Sequence, residues 1–175
     1  MLGWSSNIIM QHLLLVLTFI FIPAIGRVVQ TNGLGNISTS TYWLLEFPVE
    51  GARILFLLLL IGDGKIDKGI ELLISMFRMT KDQWKTVPTA IINNLKLHST
   101  ELLITTFVFV LVALALNYLI KYAANSEEFL FKLQQFSLLR SFNSQSLTLF
   151  LKNLTVIPFT ILFEVWLILR LLNKI

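Results

Sequence analysis

Residues 43–62 read WLLEFPVEGARILFLLLLIG. A helix of this length measures about 30 Å, which matches the hydrocarbon core of a bilayer. Residues 54–61 are all apolar, whereas residues 43–53 carry Glu46, Glu50 and Arg53. Ionisable side chains in a membrane segment are costly and usually face other helices or water. The stretch therefore predicts a transmembrane helix with a polar face that requires a partner.

The composition indicates an integral membrane protein. Hydrophobic residues make up 55% of the chain and charged residues 14%, against roughly 25% charged residues in soluble domains. We therefore expect residues 1–175 to form a single membrane domain. The absence of cysteine excludes disulfides, thiolate metal sites and cysteine nucleophiles. The net charge of +4 is spread over scattered Lys and Arg residues, which favours lipid headgroups over nucleic acid as a partner.

Hydrophobic patterning predicts an all-α fold with four transmembrane helices, at about residues 7–28, 42–61, 101–120 and 146–172. Pro23 and Gly26 are expected to kink or end the first span, and Pro158 to kink the fourth. Apolar residues at helical spacing predict two amphipathic interfacial helices, at about residues 66–80 and 127–140. Pro88 is expected to break residues 81–97.

Residues 62–69, GDGKIDKG, look like the second half of an EF-hand loop. The rest of the loop does not fit, because Leu59 and Ile61 occupy the first two ligand positions and Ile70 occupies the position of the bidentate glutamate. We therefore predict a turn that ends the second span, and no metal site.

The charges of the second span lie on one narrow face. At 100° per residue, Glu50 falls about 40° and Arg53 about −20° from Glu46, and Glu50–Arg53 is an i,i+3 pair. This polar stripe either lines a pore, cavity or subunit interface, or forms a self-satisfied cluster near the headgroups. Both interpretations stay open for Glu50 and Arg53, whereas the headgroup position is favoured for Glu46.

The distribution of basic residues predicts that both termini are cytoplasmic, in a plasma or inner membrane. Eight basic residues fall on the side of the termini and five on the other. The eight are Lys65, Lys68, Arg78, Lys81, Lys85, Lys96, Arg170 and Lys174. In this topology Arg53 and Glu164 lie at similar depth, so we predict that they pair, within one subunit or between subunits.

The sequence contains no catalytic motif, so we expect no enzyme activity. His12 and His98 are the only histidines. Two imidazoles at one depth can hold a haem between helices, but interfacial histidines are commoner, and we expect no cofactor.

The functional prediction is a homo-oligomeric ion channel or pore lined by Glu46, Glu50, Arg53 and Glu164, because four spans are too few to enclose a wide path. The alternative is a non-catalytic accessory subunit of a larger membrane complex, in which the same charges contact partner subunits. The expected partners are the lipid bilayer and copies of the chain or other membrane subunits.

Overall fold

The computed structural model describes residues 1–172, and 84% of the chain is helical. No strand occurs within the described residues, which confirms the all-α prediction. In chain order the helices are α1 Leu2–Gln11, α2 Leu13–Gln30, α3 Thr39–Ile61, α4 Ile66–Phe77, α5 Lys81–Leu97, α6 Ser99–Ala124, α7 Glu127–Gln134, α8 Ser144–Leu154 and α9 Val156–Leu171. Lys174 lies outside the described residues.

Three helical segments among residues 1–172 are long and apolar enough to cross a membrane. They are α2, α6 and the combined segment Ser144–Leu171, which consists of α8 and α9. α3 has 23 residues and is also long enough. Every 18-residue stretch of α3, however, contains Glu46, Glu50 and Arg53. These three charges, and not its length, separate α3 from the three candidate spans.

The prolines act differently from one helix to the next. Pro23 and Pro88 lie inside α2 and α5, which continue to Gln30 and Leu97. The predicted break at Pro88 is therefore wrong, and α2 does not end at Pro23. A proline removes one backbone hydrogen bond, and helices tolerate that loss where packing or water compensates.

Pro158 interrupts its helical segment as predicted. The interruption falls at Thr155, which has φ −128° and separates α8 from α9. Pro158 has no N–H to donate to the carbonyl of Leu154, the residue just before the interruption. The first predicted span is also interrupted, at His12 between α1 and α2.

The turn predicted at residues 62–69 is confirmed as the end of α3. Asp63 has φ 52° and Gly64 has φ 89°. The Gly64 N–H donates to the carbonyl of Leu59 at 2.8 Å, and the Asp63 N–H donates to that of Leu60 at 3.2 Å. These two bonds form a Schellman motif, which satisfies carbonyls that the helix end would leave unpaired.

The chain divides into two compact units. The first unit comprises Met1–Leu13, Leu57–Val112 and residues 160–172; the second comprises Leu14–Phe56 and Ala113–Phe159. Leu102, Phe163 and Trp166 form a buried cluster in the first unit, where Phe109 stacks on Phe163 with ring centroids 4.0 Å apart. A buried cluster in the second unit consists of Val28, Ala124, Phe142 and Leu147.

Candidate functional site: an ion-pair network in the second unit

Arg27 lies in the last turn of α2 and bonds two carboxylates of α3. Its Nη1 donates to Oε1 of Glu46 at 2.8 Å, and its Nη2 donates to Oε1 of Glu50 at 2.6 Å. Glu46 and Glu50 are four residues apart and therefore share one face of α3. A single guanidinium thus spans both carboxylates and joins α2 to α3.

Glu50 bridges two arginines. Its Oε1 also accepts a hydrogen bond from Nη1 of Arg53 at 2.7 Å, which confirms the i,i+3 pair expected from the sequence. Arg27, Arg53, Glu46 and Glu50 together carry no net charge. With Asn153 these residues are called the Arg27 network.

Asn153 connects α8 to the other two helices. Arg53 Nη2 donates to Oδ1 of Asn153 at 2.6 Å, and Asn153 Nδ2 donates to the carbonyl of Leu149 at 2.7 Å. Asn153 is only 2% exposed. Because its amide N–H is held within α8, the amide oxygen is directed to the guanidinium.

A close approach of α2 and α3 brings the charges together. A Cβ built on Gly26 would collide with Cγ2 of Val49, and both residues are buried. These residues directly precede Arg27 and Glu50 in the sequence. The missing side chain at Gly26 therefore permits the helix spacing at which the ion pairs form.

The start of α8 packs against the end of α2. The Thr31 and Ser146 hydroxyl oxygens lie 2.8 Å apart, and Ser146 is fully buried. A Cβ on Gly33 would lie 2.6 Å from Oγ of Ser146. The Asn143 side chain caps α8 by accepting from the Ser146 N–H at 2.8 Å. These contacts fix the helix that carries Asn153.

Most of the network is shielded from solvent. The side chains of Arg27, Arg53 and Glu46 are 18%, 22% and 25% exposed, whereas Glu50 is 47% exposed. Removing one partner of a shielded ion pair leaves an uncompensated charge, which costs more than the pair contributes when intact. The Nε of Arg53 is buried and has no hydrogen-bond partner among residues 1–172.

The structure brings Glu46, Glu50 and Arg53 together, as the helical spacing predicts. Arg53 bonds Glu50 and Asn153, and its pairing with Glu164, within one subunit or between subunits, stays a prediction. Glu50 lies one turn away on the same helix, so the positive charge is compensated locally. Glu164 belongs to the first unit, is exposed and forms no hydrogen bond or ion pair within the described part of the chain.

The two histidines both lie in the first unit. His98 follows α5, with Nδ1 at 3.3 Å from Arg170 and 3.7 Å from Glu101. The His12 ring packs against Gly64. Arg170 also bonds Glu101 at 2.6 Å, which joins α9 to α6. No group of three His, Asp or Glu side chains in the described residues is arranged to hold a metal ion.

Arg27 and Asn153 are the members of the network that the sequence did not indicate. Arg27 is one of the five basic residues on the side opposite the termini in the predicted topology, and it is the only charged residue of α2. Asn153 is one of several polar residues of α8, which also contains Gln145, Thr148 and Lys152. The single charge of α2 is therefore a signal that marks this helix as a partner for the charges of α3, whereas nothing in the sequence separates Asn153 from the other polar residues of α8.

No family model, curated protein or solved structure matches this chain. The geometry of the Arg27 network is therefore the basis of the functional proposal.

Proposed function

We propose that this chain is a non-catalytic subunit of a larger membrane protein complex, with α3 as a fourth span beside α2, α6 and the α8–α9 segment. The observation that supports this proposal is that every charge on α3 has a partner within one chain. Charges that are neutralised in this way stabilise a bundle and do not require a water-filled path.

The network removes the main obstacle to the insertion of α3. A charged residue at the centre of a span costs about 2.5–3.5 kcal/mol on insertion scales, so Glu50 and Arg53, which lie nearest the middle of α3, would oppose insertion by roughly 5–7 kcal/mol if they were free. Pairing with Arg27 gives a neutral, hydrogen-bonded group instead. In this arrangement α4 and α7 lie in the interface, and both termini face the cytoplasm of a plasma or inner membrane.

α6 supplies the surface expected of a subunit that meets other chains. Its 26 residues include an apolar segment that is only 6% buried, against 39% for α2 and 33% for the α8–α9 segment. Its exposed side chains include Leu103, Phe107, Leu111 and Leu114. We assign this surface to lipid and to a neighbouring subunit.

The oligomeric pore is the second candidate, and two exposed carboxylates favour it. Glu50 is 47% exposed although it bonds two arginines. Glu164 is exposed and unpaired within the described residues. In a ring of identical chains, these two side chains would be the ones to line a cation path.

Mass measurement and ion flux together separate the two candidates. The tagged chain is purified in mild detergent, its assembly is weighed, and the isolated chain is placed in liposomes for flux measurement. The subunit proposal predicts a fixed-ratio complex with different chains and no flux from the isolated chain. A symmetric homo-oligomer with flux that Glu50→Gln or Glu164→Gln changes, and the control Glu128→Gln does not, would overturn it in favour of the pore.

A further inference from the structure

The first unit contains a cavity of about 520 Å³, within the usual size range of small-molecule sites of roughly 300–1,000 Å³. Residues of α1, α4, α5, α9 and the end of α3 line it. All of them belong to the first unit, so the cavity is separate from the Arg27 network.

The wall of the cavity is mainly apolar and adaptable. Trp4 and Trp84 contribute indole rings, and Leu72, Met76 and Met79 contribute flexible aliphatic surface. Methionine fills irregular spaces without a fixed shape, and tryptophan is characteristic of membrane interfaces. A flexible hydrocarbon chain is the ligand class that such a wall suits best.

Two opposite charges also line the cavity. Asp63 and Lys68 are lining residues, both are exposed, and neither forms an ion pair within the described residues. One acid and one base complement a head group that carries one positive and one negative charge. An anionic head group would complement Lys68 but would be repelled by Asp63.

We propose that this cavity binds one phospholipid with a zwitterionic head group. An acyl chain lies against Leu72 and the two methionines, the phosphate faces Lys68, and the ammonium group faces Asp63. A chain that lies in a bilayer is surrounded by phospholipid, so this ligand is present at high local concentration. The inference does not depend on the proposed function, because it concerns residues outside the network.

Quenching of tryptophan fluorescence tests the proposal on the full chain in detergent. Phospholipids with brominated acyl chains are titrated, with phosphatidylethanolamine as the zwitterionic probe and phosphatidylglycerol as the anionic one. The proposal predicts saturable quenching at one lipid per chain, with phosphatidylethanolamine favoured about threefold to fivefold. Equal affinity or a preference for phosphatidylglycerol would overturn it. The quenching signal should fall in Trp4→Phe and Trp84→Phe, and an undiminished signal in both would also contradict the proposal.

Charge variants test the head-group contacts. Asp63→Asn keeps a residue type that tolerates the left-handed backbone, and it should abolish the preference for phosphatidylethanolamine. Lys68→Gln should weaken binding of both lipids about threefold to fivefold. Lys65→Gln is the matched control, because Lys65 is exposed but does not line the cavity. Identical affinities in all three variants would contradict the assignment.

A filling variant tests the position of the acyl chain. Among the described residues, the Ser75 hydroxyl bonds the carbonyl of Leu72 in its own helix. Ser75→Phe therefore removes no hydrogen bond to another helix of the described chain, and its ring occupies the cavity. Saturable binding should be lost while helicity and elution volume stay unchanged. Retained saturable binding in a folded Ser75→Phe protein would show that the lipid binds elsewhere.

Discussion

The Arg27 network and the Arg170–Glu101 pair use the same chemistry in different settings. Each arginine lies in the last turn of an apolar helix and bonds a carboxylate on another helix of its own unit. Arg27 holds two carboxylates, one of which is shared with Arg53 and, through it, Asn153. Glu101 is 42% exposed and lies in the first turn of α6, where a carboxylate is stabilised by the helix dipole as well.

This difference indicates that the number of partners an arginine joins decides its importance more than the length of its contacts, since Arg27 and Arg170 are similarly shielded, at 18% and 24% exposed. The shortest contacts of the two groups are equal, at 2.6 Å. Loss of Arg27 would leave two carboxylates short of a partner, whereas loss of Arg170 would leave one that solvent and the helix terminus can stabilise. We therefore expect the two arginines to differ strongly in their contributions to stability.

Arg27→Met should cause the largest loss of stability. It removes the only ion-pair partner of Glu46 within residues 1–172 and one of the two partners of Glu50. We expect the free energy of unfolding to fall by about 3 kcal/mol, the lower end for a broken buried pair, because Glu50 is partly exposed. Equilibrium unfolding in mixed micelles, followed by circular dichroism, measures the change. Arg140→Met is the control, since Arg140 is exposed and unpaired in the described residues.

Gly26→Ala should come next, because the added methyl group meets Val49 at the α2–α3 contact. Overpacking costs about 1–3 kcal/mol, which outweighs the gain in helix propensity of about 1 kcal/mol at the upper end of that range. Gly51→Ala is a matched control on α3, since nothing lies within 4 Å of its added Cβ, and it should stabilise the protein slightly. In a Val49→Ala background, Gly26→Ala should lose its cost; an unchanged cost would show that Val49 is not the obstacle.

Arg170→Met should lower the free energy of unfolding by about 1 kcal/mol, because Glu101 is 42% exposed and lies in the first turn of α6, where water and the helix dipole stabilise its charge. The same unfolding experiment measures it beside Arg27→Met. A loss equal to that of Arg27→Met would remove the distinction between the two regions.

Lys132→Met should have the smallest effect. Lys132 and Glu128 form an i,i+4 pair on α7, and both are highly exposed. Such pairs contribute about 0.3–0.5 kcal/mol. Unfolding in raised salt should abolish this small difference, since exposed pairs are screened. A loss above 1 kcal/mol would indicate a contact of Lys132 beyond Glu128.

Local features of this molecule were predictable from the sequence, whereas contacts between helices were not. The Glu50–Arg53 pair and the turn at Asp63 depend on residues within one or two helical turns. Arg27 and Asn153 reach the network from other helices, and helical spacing within α3 carries no information about them. The predicted Arg53–Glu164 pairing depends on depth alone, and depth does not specify the neighbouring helix.

The effect of each proline on its helix was also not predictable from the sequence. Pro158 accompanies an interruption, whereas Pro23 and Pro88 lie within continuous helices. The lost hydrogen bond is the same in all three cases. Pro88 is exposed in a helix without buried residues, whereas Pro23 is buried, so packing alone does not explain which helices stay continuous.

A double-mutant cycle between Arg27 and Glu46 tests most directly whether the charges of α3 are held within the chain. The unfolding free energies of Arg27→Met, Glu46→Gln and the double variant are compared with that of the unmodified protein. If the pair forms as described, the double variant is more stable than the two single losses added together predict, because Glu46→Gln removes the carboxylate that Arg27→Met leaves unpaired. The expected coupling energy is about 1–3 kcal/mol. Losses that simply add, within about 0.5 kcal/mol, would contradict the account.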